Sequence, residues 1–431
     1  MDATNLTGGA SREASFSLRR APLNFIFPAA CIAMIGFVLF AAASSYLAYR
    51  HSFGLDERNL EAAVALEGRN AAHENRLGRF LFFATQDVPR ALEHYRRAVE
   101  LNPHQARYWL DLAVAFRRMG RTPGEKTSLQ GALTHDPHTP DVIWEAANLD
   151  LTRGDITAAL PGFKTVIDHD PTLAARAMVL SLQAAPDIQS ILDYALPATA
   201  AAHLQLLQLL MARNEIASAA RVWEHLVALR TPFPAVESFR YVDFLLDRQK
   251  VEDARRVWQQ IITLSPGMTA YQTPPGNLVV NGGFEQDILD GGFDWRYAPG
   301  PEVGVSIDPA AGHTGQRSLL LTYLGSREDS GWIQYIPVKP GSHYILSAFT
   351  RAESLRSASM PRIAVTDDAH KLTLLLTGEV SDSPGWQEVH GNFVAGPANT
   401  LVTLRIVRRP AGPVVRGRLW LDDFGIAQVP E

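Results

Sequence analysis

Hydrophobic positions along this chain fall into three successive patterns, and each predicts a different kind of structure. From Leu23 to Leu47 the residues read LNFIFPAACIAMIGFVLFAAASSYL, and no charge lies between Arg20 and Arg50. In the middle third apolar residues recur at helical spacing, as at Ala91, Leu92, Tyr95, Ala98 and Val99. Beyond residue 277 they alternate with polar ones in short runs separated by turn residues, the period of a strand with one buried face.

The first pattern predicts a membrane segment, because about 20 apolar residues cross the hydrocarbon core. Residues 1–22 form an N-terminal tail and residues 23–49 a single transmembrane helix, with Pro28 near its start, where the missing amide matters least. A cleaved signal peptide is the alternative, since Ala41, Ala42, Ala43, Ser44 and Ser45 are small enough for a peptidase. The run exceeds the usual signal core of about 7–15 residues, which favours a retained anchor. Arg12, Arg19 and Arg20 before the span against Arg50 after it favour a cytoplasmic N-terminus. The bulk of the chain is then expected outside the cytoplasm, in a periplasm.

The second pattern carries a fixed period. Pro103, Pro137 and Pro171 are 34 residues apart, and Pro232 and Pro266 repeat the interval. A period of this size signals stacked supersecondary units. The positions Ala91, Tyr95, Ala98, Pro103; Leu129, Ala132, Pro137; Ala159, Phe163, Val166, Pro171; Ala219, Trp223, Leu226, Pro232; and Ala254, Trp258, Ile261, Leu264, Pro266 resemble the tetratricopeptide repeat family. That resemblance implies an all-α solenoid over residues 55–266, degenerate at 172–198, whose concave face binds a protein or peptide. A bare spacer between membrane and C-terminal domain is the alternative.

Residues 267–276, rich in proline and glycine, read as a linker. Seven runs then read as strands: Ser318–Leu324, Gly331–Val338, His343–Thr350, Arg362–Thr366, Glu388–Ala395, Thr400–Val407 and Gly417–Ile426. Together they predict an all-β antiparallel sandwich over residues 277–431. The ordered motifs NLVVNGGFE (277–285), GGFDW (291–295), GHTGQRSL (312–319), GWIQYIPVKPGSHYILSAFTRA (331–352), GWQEV (385–389) and LWLDDFGI (419–426) resemble carbohydrate-binding modules of the family 4 and 9 type. Those modules share the galactose-binding-like jelly roll.

Two candidate sites follow from that resemblance. Aromatic rings stack on the CH faces of a pyranose, so Trp295, Tyr297, Trp332, Tyr335 and Trp386 are candidate sugar contacts, with Tyr344 beside them. Trp295 and Tyr297, in a glycine-rich loop, are the strongest of these; core packing is the competing role for each. The resemblance also implies a structural calcium held by Glu285 and by Asp422 or Asp423, with backbone carbonyls between His313 and Ser318 as further donors. Alternatively these carboxylates accept hydrogen bonds from loop amides.

Composition narrows the picture. The 431 residues are 46% hydrophobic and 20% charged with net charge −5, and no long basic run marks a nucleic-acid binder. Cys31, the single cysteine, permits neither an internal disulfide nor a cysteine-based zinc site. GRTPGEKT at 120–127 fails as a phosphate loop, because three residues rather than four separate its glycines and Glu125 precedes the lysine. No nucleophile elbow, HExxH or cofactor fingerprint occurs, and nothing marks Glu285 with Asp422 or Asp423 as a glycosidase pair. The expectation is a non-enzymatic, membrane-anchored scaffold that binds protein through its helices and carbohydrate through its jelly roll, in envelope polysaccharide assembly, export or attachment. The alternative is an interaction protein whose jelly roll binds no sugar.

Overall fold

The computed structural model describes residues 23–54 and 56–430. The expected N-terminal tail, with Arg12, Arg19 and Arg20, lies outside the described residues. The chain divides into two compact units, Met1–Gly162 and Phe163–Glu431.

The first unit is all helical. Helix α1 (Leu23–Ser52) is long and apolar enough to cross a membrane by length and composition, and none of its apolar window is buried in the protein. After it come α2 (Glu57–Leu66), α3 (Ala71–Phe80), α4 (Val88–Leu101), α5 (Ala106–Arg118), α6 (Thr122–His135), α7 (Pro140–Thr152) and the start of α8 (Ile156–His169). Local chemistry sets the helix starts. Asp56, Asn70 and Asp87 each accept a backbone N–H from the first turn that they precede, and proline occupies the first turns of α4, α6 and α7. Leu60, Leu77, Leu81, Leu92, Tyr95 and Leu112 pack into one core, and Leu110, Ala113, Leu129, Ala132 and Ala146 into another. Gly120–Thr127 forms the α5–α6 turn and the start of α6, with no strand before it.

The second unit joins helices to a sandwich. It holds α9 (Pro171–Ala184), the short α10 (Ile188–Tyr194), α11 (Ala200–Ala212), α12 (Ile216–Ala228), α13 (Ala235–Asp247) and α14 (Val251–Leu264). Among the described residues ten strands follow: β1 (Arg296–Tyr297), β2 (Val303–Asp308), β3 (Ser318–Tyr323), β4 (Asp329–Pro337), β5 (His343–Arg356), β6 (Pro361–Asp367), β7 (Leu372–Leu376), β8 (Gln387–Val394), β9 (Leu401–Arg408) and β10 (Arg416–Gln428). They form two five-stranded antiparallel sheets, ordered β1-β4-β9-β6-β7 and β2-β3-β10-β5-β8. Alternate residues of each strand, among them Leu319, Leu321, Leu346, Ile363, Val365, Leu404 and Leu419, fill the space between the sheets.

The segment between helices and strands is packed. Met268 and Tyr271 are buried in a short 3₁₀ turn, and the Tyr271 hydroxyl donates to the Asp287 carbonyl at 2.6 Å. The loop before β1 also lies on the helices: the Phe293 ring meets Trp258 edge-on, centroids 6.1 Å apart. Gly292 has φ +60°, and a Cβ there would collide with the Trp258 ring. Only glycine fits both constraints.

Candidate functional site

One outward sheet face forms a polar surface, and strand register explains why. Arg296 is opposite Ile333, which is opposite Arg405, so these three share a face; Tyr335, Thr403 and Thr366 form the next row. Asp368, just past β6, ties the rows together. Its carboxylate accepts from Thr366 Oγ1 at 2.8 Å, Thr403 Oγ1 at 2.7 Å and Arg405 Nη2 at 2.6 Å. The other arm of Arg405 donates to Asp329 at 3.0 Å.

The end of α13 closes one side of this face. Arg296 forms a two-pronged ion pair with Asp243, with Nη1 at 3.1 Å from Oδ2, and its guanidinium sits 5.0 Å from the centroid of the Tyr335 ring. Between them opens a cleft of about 460 Å³, lined by Asp243 and Asp247 of α13, Gln249 of the turn that follows it, and Tyr335, Asp368 and Thr403 on the sheet side. It offers an aromatic ring beside carboxylate, amide and hydroxyl groups, the combination that fixes the apolar faces and hydroxyls of a sugar.

The structure separates the expected aromatic contacts. Tyr335 lines the cleft. Trp295 is 0% exposed, and Trp332 is buried beside it, ring centroids 5.8 Å apart. Phe284 and Phe424 complete that cluster, and the Trp295 indole N–H donates to the Asn281 carbonyl at 3.0 Å. Neither tryptophan presents a ring face to solvent, because the glycine-rich loop that reads as ligand-facing folds inward against α13 and α14. Tyr297 is half-buried, and its hydroxyl donates to the Val303 carbonyl at 3.2 Å. Tyr344 is buried and stacked on Phe393. Trp386 is half-buried on the opposite sheet, edge-on to His313.

Glu285, Asp422 and Asp423 converge on one loop, residues 312–317. Glu285 Oε1 accepts from the amides of Gln316 and Arg317 at 2.8 and 2.9 Å. Asp422 Oδ2 accepts from the His313 amide at 2.6 Å; Asp423 accepts from Thr314 Oγ1 at 2.7 Å and bonds the His313 ring at 2.6 Å. Consecutive strand residues ordinarily point to opposite faces. A register shift between Asp422 and Gly425, with Asp423 at φ +50°, turns both carboxylates onto the same loop. The Ser318 hydroxyl donates to the Ala311 carbonyl at 2.8 Å.

Burial pushes Asp422 up to about 6, and the neighbouring Asp423 charge adds to the rise. Carboxylate oxygens are the donors a calcium-like ion takes, and here they already accept hydrogen bonds from the loop and from the Asp423 amide. Among the described residues no three acidic or histidine side chains are grouped as ligands, so a cation here would draw on backbone carbonyls and water as well.

Sequence reasoning missed Arg296, Asp368, Thr403, Arg405, the α13 residues Asp243 and Asp247, and Gln249 in the turn after α13. Strand register and the docking of α13 bring them together, and no local motif marks either.

A two-sheet sandwich with a polar, aromatic-bearing face is compatible with a carbohydrate-binding module, among other functions of this fold. Residues 276–412 match a family model described as a carbohydrate binding domain, a non-catalytic class. A structure described as CBM4 structure and function is 14% identical, with TM-score 0.28, covering 35% of this chain and 99% of that one. The chain is 31% identical over 104 residues to the BBSome complex member BBS4 of Bos taurus, covering 22% of this chain and 20% of that protein. It thus spans about a fifth of that relative's length. A thermophilic TPR protein of Thermus thermophilus is 21% identical, with TM-score 0.27, covering 29% of this chain and 71% of that one.

Proposed function

We propose that this protein is a membrane-anchored, non-enzymatic scaffold that binds polysaccharide in the cleft between α13 and the polar sheet face. Tyr335 beside Asp368, Thr403, Asp247 and Gln249 carries the proposal: the ring stacks on a pyranose, and the polar groups exchange hydrogen bonds with its hydroxyls. Helix α1 anchors the chain. The helical region, read as a tetratricopeptide array, holds a protein partner, and the two binding functions together serve envelope polysaccharide assembly, export or attachment. Calcium at Glu285, Asp422 and Asp423 would brace the loop 312–317 against the last strand.

A second reading rests on the Arg296–Asp243 ion pair, which occupies part of the same face. There the face docks helices and the sandwich binds no sugar. Affinity electrophoresis of the full chain through gels containing envelope polysaccharides separates the two. Retardation that Tyr335→Ala reduces at least tenfold supports the first; unretarded migration in every gel supports the second.

A further inference from the structure

Helix α1 changes environment partway along its length. From Phe27 to Ala43 its side chains are exposed, apart from a half-buried Cys31; Phe37 and Phe40 are each 70% exposed. From Ser44 onward one face is covered. Ser44 is half-buried, while Ala48 and Ser52 are buried, and spacing of four residues puts all three on one stripe of the helix.

Polar contacts mark the same change. His51 Nδ1 lies 2.7 Å from Asn59 Oδ1, and Arg76 Nη1 donates to Ser52 Oγ at 2.6 Å. Helix α2 therefore runs back along the last turns of α1 and delivers its C-terminal end to Ser45. There the Ser45 hydroxyl bonds the Glu67 carboxylate, and Asn70 and His73 do so at 2.9 and 3.0 Å. Placing this ring of polar groups in hydrocarbon would leave its remaining hydrogen-bonding capacity without water to meet it.

We propose that the bilayer boundary falls at Ser44 and Ser45, and that the α2–α3 loop rests on the phospholipid headgroups of that leaflet. The proposal depends on α1 being a membrane anchor. Its length then fits: Leu23 to Ser44 at about 1.5 Å per residue spans roughly 33 Å, against about 30 Å of hydrocarbon. Residues 45–52 belong to the helical unit, which stands on the membrane with no intervening linker.

The edge so placed has suitable chemistry. Leu66 is 42% exposed and Arg69 is exposed in the α2–α3 loop, an apolar tip and a cation at the depth of acyl boundary and phosphate. A shallow cleft of about 780 Å³, lined by Leu66, Glu67, Arg69, Asn70, Asn102 and Tyr108, joins this loop to the α4–α5 loop and opens on the same edge.

Nitroxide accessibility in the full chain, reconstituted in nanodiscs of phosphatidylethanolamine and phosphatidylglycerol, tests the boundary. Cys31 is labelled in the native chain; Tyr49→Cys, Leu66→Cys and Arg121→Cys are labelled in a Cys31→Ala background. All three introduced positions are solvent-exposed, so folding is preserved. Cys31 should be shielded from an aqueous nickel relaxant, Arg121→Cys open to it and Leu66→Cys between the two, with Tyr49→Cys outside the hydrocarbon. Tyr49→Cys as deep as Cys31, or Leu66→Cys as open as Arg121→Cys, overturns the proposal while leaving the anchor standing. An aqueous Cys31 removes the anchor and the proposal together.

Discussion

Trp295 offers the sharpest contrast between a core residue and a ligand contact. Replacing it with alanine removes a ring packed against Phe284, Trp332 and Phe424 and leaves the Asn281 carbonyl without its indole donor. Fully buried Trp→Ala changes cost about 3–5 kcal/mol, since the cavity closes only in part. For a unit of this size each kcal/mol lowers the melting temperature by roughly 2–4 °C, so a loss of about 6–20 °C is expected. Tyr335 is half-buried at the cleft, so Tyr335→Ala should shift melting far less while weakening polysaccharide retention. Differential scanning calorimetry of both variants, paired with the gel assay, reads the two effects separately. Unchanged melting for Trp295→Ala alongside lost sugar binding would refute the assignment of this ring to the core.

Burial raises Asp294 to about 7, with Oδ2 accepting from the Leu289 amide and Oδ1 unpartnered. Its folded state holds a proton that the unfolded state has lost above about pH 4, so stability should fall as pH rises from 4 to 7, by at most about 1.4 kcal/mol per unit. Urea titrations in chelator should show that slope, and Asp294→Asn should reduce it, leaving the part that Asp422 contributes below about pH 6; an unaltered slope would assign the effect elsewhere. Calcium should raise the melting temperature and protect the loop 312–317 from proteolysis, and Glu285→Gln should abolish both effects. Identical melting in calcium and in chelator would leave the amide hydrogen bonds as the sole support of that loop. A double-mutant cycle on Arg296→Met and Asp243→Asn should give a coupling near 1 kcal/mol, modest because both side chains keep some solvent contact; no coupling would mean that the ion pair does not join sandwich to helices.

What could be read from the sequence was whatever is local and periodic. All seven predicted strand runs are strands, because alternating burial is written into consecutive residues such as those of Ser318–Tyr323. Three strands escaped: Arg296–Tyr297 is two residues long, Val303–Asp308 follows a proline-rich turn with weak alternation, and Leu372–Leu376, read LTLLL, is short and lacks a regular alternation. The candidate site was less legible. The fate of Trp295 turned on whether its loop faces water or α14, which depends on tertiary docking. Asp368 meets Thr403 and Arg405 across 35 and 37 residues of sequence, and only strand register connects them.

Asn277 joins the two ends of the sandwich. Its side chain accepts from the Ile426 amide at 3.1 Å, 149 residues away, and the Leu278 amide donates to the Ile426 carbonyl at 2.9 Å. During synthesis the helices can assemble from neighbouring segments as they emerge. The sandwich must wait for its closing strand, since contacts this distant in sequence form slowly and late. Until β10 arrives, β3 and β5 lack the strand that separates them, and both expose edges open to foreign pairing. A chaperone acting on this chain would therefore find its work in the interval between the emergence of β3 and that of β10.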